Sequence, residues 1–138
     1  MMSKKMTSRV ITFGTFDVLH IGHINILERC SQLGSELIVG VSSDALNFQK
    51  KKRLPIYNED SRIRIVSSLR FVDKVFIEQS LEEKNDYIKY YQANILAMGD
   101  DWQGKFDHFK DICQVVYFPR TPLISTTEII KTTQMLCL

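Results

Sequence analysis

Short apolar runs alternate with amphipathic stretches from residue 10 onward. Val10-Ile11-Thr12-Phe13 predicts a first strand stopped by Gly14, and Ile24, Ile26, Leu27 and Leu33 fall at helical spacing before Gly34. The unbroken run Leu37-Ile38-Val39-Gly40-Val41 predicts a strand buried on both faces. A polar, basic stretch over 47–58 that contains Pro55 reads as a loop. Beyond it the pattern predicts a helix over 59–69, a strand at 75–77, a helix over 81–91 and a strand at 95–98 stopped by Gly99. A brief helix at 106–109, a strand at 115–118 ended by Pro119, and a last helix capped by Ser125 or Thr126 complete the chain.

Strands separated by helices must pair in parallel, because each crossover returns the chain in the same direction. The expected fold is therefore α/β: a Rossmann-like, doubly wound sheet of about five parallel strands with helices on both faces. Residues 1–8 read as a flexible leader and 9–138 as a single domain. Such sheets bind ligands beyond the carboxyl ends of the strands, where the strand order reverses. The segments after strands one, two, four and five are thus where chemistry is expected.

Composition narrows the class. Of 138 residues, 44% are apolar and 25% charged, which is globular and excludes global disorder. Eighteen basic against sixteen acidic residues give a net charge of +2, too little for a general nucleic-acid binder. No run approaches the roughly 18 apolar residues of a membrane span. The three cysteines, Cys30, Cys113 and Cys137, are widely separated and form no C-x-x-C pair, so free thiols in a reducing, cytoplasmic compartment are expected.

The first strand end carries Gly14-Thr15-Phe16-Asp17-Val18-Leu19-His20-Ile21-Gly22-His23, with two of the chain's three histidines within four residues. A helix N-terminus offers unpaired N–H groups and partial positive charge, which suit phosphate. Gly22 lets a phosphate approach the backbone, and imidazoles at i and i+3 lie on one face of a turn. Neither G-x-G-x-x-G nor a G-x-x-x-x-G-K-[ST] loop follows strand one. Zinc needs a third protein ligand, and no cysteine lies near in sequence, so no metal ligand is assigned.

This segment resembles the H-x-G-H signature of the nucleotidylyltransferases related to class I aminoacyl-tRNA synthetases. Met98-Gly99-Asp100-Asp101-Trp102-Gln103-Gly104-Lys105-Phe106-Asp107 is similar to the matching segment of the glycerol-3-phosphate cytidylyltransferases. So are Phe118-Pro119-Arg120-Thr121 and Ile124-Ser125-Thr126-Thr127. The likeness covers about residues 9–131. Pro122-Leu123 stands where that family usually has Glu-Gly, so this loop differs locally.

The resemblance implies transfer of a cytidylyl group from CTP to sn-glycerol 3-phosphate, giving CDP-glycerol and pyrophosphate for a cell-wall or surface polymer such as teichoic acid or capsule. It implies catalytic roles for His20, His23, Lys52 and Arg120. For the nucleotide it implies Thr15, Phe16, Gly22, Arg70, Asp101, Thr121, Ile124, Ser125, Thr126 and Thr127 beside those four. It assigns Lys50 and Lys84 to the acceptor, a magnesium ion to the CTP, and a homodimer as the assembly.

The residue types suit these roles. A phosphate monoester has a second pKa of about 6, so the acceptor is already a nucleophile at neutral pH and needs little base. Positioning and charge stabilisation at the α-phosphorus should carry the rate. The basic run over 50–53 is a solvated loop or an anion site. Arg62 and Arg70, eight apart on one predicted helix, can point the same way. A carboxylate at Asp101 can accept from the exocyclic amine of cytosine, and Trp102 offers a stacking surface. Asp17 is read as a metal ligand or as an orienter of the histidine turn. Competing readings are the same chemistry on another small phosphorylated alcohol such as phosphoethanolamine, and a binding module that has lost turnover.

Overall fold

The β-branched runs form five strands: β1 (Arg9–Gly14), β2 (Glu36–Ser42), β3 (Lys74–Glu78), β4 (Ile95–Gly99) and β5 (Gln114–Phe118). In the computed structural model, which describes residues 7–122 and 124–136, they pair in parallel in the order β3-β2-β1-β4-β5. Side chains alternate between faces along each strand, and two cores result. Val10, Leu37, Val39, Val41 and Ala97 face Leu27 and Cys30 of α1 (Ile21–Gln32) and Val66 of α3 (Glu59–Ser67). Ile11, Phe13, Ile38, Leu96 and Met98 face Ile88 of α4 (Lys84–Tyr90) and Phe109. The sheet is therefore Rossmann-like, with helices on both faces.

The chain steps outward from β1 to β3 and returns to β4 on the other side of β1, so the order reverses between β1 and β4. Their pairing covers only Val10–Ile95 and Ile11–Leu96. From there β1 runs on to Gly14 and β4 to Gly99 without each other. The two carboxyl ends separate, and a crevice opens at the position the fold reserves for ligands.

Several expectations need correction. The stretch over 47–58 is not all loop: Asp44–Lys51 forms a helix, α2, whose N-cap Ser43 accepts from the Leu46 N–H at 3.0 Å. Only Leu46 and Asn47 of that helix are buried, so it lacks the repeated apolar face that reveals a helix in a sequence. Helix α3 stops at Ser67, which leaves Arg70 in the following turn, so of that pair only Arg62 is on the helix. The brief helix near 106 is a 3₁₀ turn, Asp107–Asp111. Residue 8 is no part of a loose leader: the Ser8 carbonyl accepts from Ser35 and Glu36 N–H. Residues 1–6 of that leader and Cys137 lie outside the described residues. Cys30 and Cys113 are free thiols, and burial pushes the Cys30 pKa up to about 12, so it is uncharged at neutral pH.

Candidate active site

The turn after β1 is held in a costly shape. Phe16 and the β-branched Val18 take φ of 54° and 47°, where L side chains are disfavoured. Two buried charges fasten it. The Asp17 carboxylate accepts backbone N–H groups of Ile56 at 2.7 Å, Tyr57 at 2.9 Å and Val18 at 3.1 Å. The Arg62 guanidinium, 0% exposed, donates to the carbonyls of Thr15, Ser42 and Tyr57 and to the Asp44 carboxylate. Thr15 itself donates to Asn47 Oδ1 at 2.8 Å, which ties the turn to α2. Asp17 is thus an orienter of the turn.

The histidines close the turn with a reciprocal cap on α1. His20 Nδ1 accepts from Gly22 N–H at 3.0 Å, and His23 Nδ1 accepts from His20 N–H at 3.1 Å. Each Nδ1 lone pair is used, so in the neutral rings the proton resides on Nε2. The rings stack 3.8 Å apart. A Cβ on residue 22 would lie 2.8 Å from His20 Cε1, so glycine there is what admits the ring.

Burial, then the nearby Arg120, lowers the His20 pKa. For His23, burial, then His20 and Arg120, push it down to about 3. Both rings are neutral donors through Nε2–H at physiological pH. Below about pH 6.5 the unfolded His23 binds a proton that the native one refuses, so stability is lost as pH falls from there toward 3. One such proton costs up to about 1.4 kcal/mol per pH unit. His23→Asn keeps an acceptor for the His20 N–H and removes the titration. Urea unfolding from about pH 6.5 to 4.5 should show a shallower acid slope in the variant, and equal slopes would contradict the neutral assignment.

Around this turn lies a cleft of about 520 Å³. The β5–α5 segment forms one wall, with α5 spanning Thr126–Leu136. Helix α1 holds that wall: Asn25 donates to Thr121 Oγ1 at 3.0 Å, and Arg29 to the Pro119 carbonyl at 3.3 Å. Ser125, not Thr126, is the cap of α5, since its Oγ accepts from Glu128 N–H at 3.1 Å. Thr126 Oγ1 donates to the Asp17 carbonyl at 2.8 Å, which locks the wall to the histidine turn. Among the described residues nothing accepts the Ser125 hydroxyl proton, which leaves it for an anion, while that of Thr126 is committed. The opposite wall carries Gly99, Asp101 and Trp102. A Cβ at residue 99 would stand 2.8 Å from Asp101 Oδ1, so this glycine makes room for the carboxylate.

The structure brings Thr15, Phe16, His20, Gly22, His23, Asp101, Arg120, Thr121, Ile124, Ser125, Thr126 and Thr127 to this one cleft. It does not bring Lys50, Lys52, Arg70 or Lys84 to its lining. Lys52 is the exposed C-cap of α2 at φ 59°, and Arg70 is exposed in its turn. Lys51 and Arg53 line the cleft instead. On a helix, successive side chains diverge by about 100°, so neighbours in a basic run part company. Lys84 is buried in an ion pair with Glu78. Asn47, Ile130 and Gln134 also face the cleft and carry no motif that marks them in the sequence. Leu123 lies outside the described residues.

Residues 11–132 match the model of a family described as cytidylyltransferase-like. The chain is 49% identical to a glycerol-3-phosphate cytidylyltransferase of Bacillus subtilis (strain 168), over 88% of this chain and 93% of that one. It is 43% identical to a protein of the same description from Staphylococcus aureus (strain NCTC 8325 / PS 47), over 88% and 91%. Among solved structures, a lipopolysaccharide core biosynthesis protein from Thermoplasma volcanium GSS1 superposes with a TM-score of 0.71 at 26% identity, covering 84% of this chain and 99% of that one.

Proposed function

The chain belongs to the cytidylyltransferase-like family, and on that premise we propose that it transfers the cytidylyl group of CTP to sn-glycerol 3-phosphate, releasing pyrophosphate and forming CDP-glycerol. The observation that carries the reading is the pair of Nε2–H donors at the head of α1, with Arg120 and the start of α5 beside them. The acceptor phosphate, largely dianionic at neutral pH, attacks the α-phosphorus as an oxygen nucleophile. The α–β bridging bond breaks, and its electron pair leaves with pyrophosphate.

His20 and His23 donate to the α-phosphate oxygens, where negative charge builds up in the transition state. Arg120, the Ser125 hydroxyl, Thr121, Thr127 and the backbone N–H groups opening α5 hold the β- and γ-phosphates. Phe16 and Thr15 bracket the nucleotide, Gly22 and Ile124 shape its floor, and Thr126 locks the wall. Asp101 accepts from the cytosine amine, with Trp102 alongside. Lys50 and Lys84 take the acceptor, and Lys52 and Arg70 reach the CTP phosphates, on family resemblance.

Magnesium enters as part of the substrate, Mg-CTP. Among the described residues no three His, Cys, Asp or Glu side chains gather around one point. Asp17, the carboxylate nearest the histidines in sequence, already accepts three N–H groups.

The product serves surface- or cell-wall-polymer synthesis, and the enzyme works in the cytoplasm as a homodimer without nucleic-acid or membrane partners. The family resemblance supports the dimer, and a monomer mass by light scattering would refute it. Among the described residues no helix is long and apolar enough to cross a membrane. Pyrophosphate release tests the reaction itself. CTP with glycerol 3-phosphate should far outpace ATP with the same acceptor, and CTP with phosphoethanolamine. Equal turnover with ATP removes the cytidylyl assignment, and a preference for phosphoethanolamine moves the acceptor.

A further inference from the structure

Behind the cleft wall lies a carboxylate that the reaction scheme above does not use. Glu78 closes β3 at its carboxyl end and is 2% exposed. It pairs with Lys84, the first residue of α4, which is 4% exposed. The Lys84 ammonium lies 4.6 Å over the ring of Phe13 and 5.6 Å from that of Phe106. Phe13 is also a wall of the nucleotide cleft, so the pair stands one ring away from it. Lys50, in the last turn of α2, is near enough to feel both charges. Burial lowers its pKa, Glu78 opposes that shift, and Lys84 and Lys51 add to it.

The Lys84 ammonium and the Glu78 carboxylate are therefore enclosed together at the carboxyl end of the sheet, with the exposed Lys50 beside them. A buried Lys–Glu pair is a poor device for stability alone, since an apolar pair of similar volume does as well. Here it leaves one positive charge in excess, beside two aromatic faces that favour cations. A phosphate monoester supplies the missing negative charge.

We propose that Glu78 is a positioning residue for the acceptor: its carboxylate holds the Lys84 ammonium behind Phe13, with Lys50 alongside, so that both are in place when the acceptor phosphate arrives. The proposal rests on the assignment of Lys50 and Lys84 to the acceptor. Without the carboxylate, the buried Lys84 ammonium has no counter-charge and is repelled by its neighbour, so it loses its place. The ionisable groups facing this cluster are Glu78 from β3, Lys50 and Lys51 from α2, Lys84 and Tyr87 from α4, and Glu83 just before it.

The test is steady-state kinetics on Glu78→Gln, which preserves shape and removes the charge. The KM for glycerol 3-phosphate should rise at least about tenfold, with the KM for CTP near its wild-type value and kcat changing less than the acceptor KM. An unchanged acceptor KM, or an equal rise for both substrates, overturns the proposal. If Glu78→Gln does not fold, Glu78→Asp keeps the charge and withdraws it by one methylene. A selective rise in acceptor KM then supports the proposal, and a wild-type value overturns it. Lys50→Ala and Lys84→Met separate the two levels. If neither raises the acceptor KM, the assignment of the lysines fails and the role of Glu78 with it. If both raise it and Glu78→Gln does not, only the role of Glu78 fails.

Discussion

Alanine at His20 or at His23 lowers kcat about 10²–10³-fold and leaves both KM values close to wild type. Each ring gives up its Nδ1 lone pair to a backbone N–H, so each can present only Nε2–H to a phosphate. A donor fixed in advance gains most when charge concentrates on the α-phosphate oxygens, which is in the transition state, so the loss falls on kcat and kcat/KM together. One such donor is worth roughly 3–4 kcal/mol. The two losses should not add fully, because the rings stack on each other and His23 anchors the residue that carries His20. Steady-state kinetics on both single variants and the double, with melting temperatures alongside, decides it. Near-normal kcat in either single variant means that this turn is not the site of chemistry.

Arg62→Met carries the largest expected cost in stability, about 3–5 kcal/mol. The guanidinium is wholly enclosed and satisfies three carbonyls and the Asp44 carboxylate. Methionine fills much of the volume but leaves those four acceptors facing a dry pocket. For a chain of this size the loss corresponds to a drop in Tm of roughly 10–20 °C. Activity should fall as well, since Arg62 grips the Thr15 carbonyl inside the turn where Phe16 and Val18 hold positive φ. Arg62→Lys should recover only part of either property, because an ammonium cannot reach partners spread around a planar fork. Thermal unfolding of the two variants is the measurement. A Tm within a few degrees of wild type for Arg62→Met would show that the network is dispensable.

Arg62 also illustrates how far the sequence can be read. Its spacing of eight from Arg70 suggested two arginines pointing the same way from one helix. Helix α3 ends between them, and burial makes Arg62 a fastener of the turn instead. The basic run over 50–53 shows the same limit. Its charge suggested a solvated loop or an anion site after β2, but α2 has only one apolar side chain in the core, Leu46, and so gave no periodic signal. Unless the helix is known, the direction of each lysine is undefined, and Lys51 and Arg53 rather than Lys50 and Lys52 face the cleft.

What the sequence determined by itself is everything encoded at short range. Strand runs, their alternation with helices, and hence a parallel sheet with its site at the carboxyl ends follow from periods of two and 3.6 residues and from the geometry of crossovers. The histidine turn belongs to the same class, because its caps join residues no more than three apart. What only the tertiary structure decided are relations between segments distant in the chain. Thr126 meets the Asp17 carbonyl across 109 positions, Asn25 meets Thr121 across 96, and Glu78 faces a lysine of another helix as well as Lys84. Whether a charge becomes ligand, fastener or counter-ion depends on the water removed from it and the partners brought to it. Both are set by packing of the whole sheet, and no local pattern of residues records them.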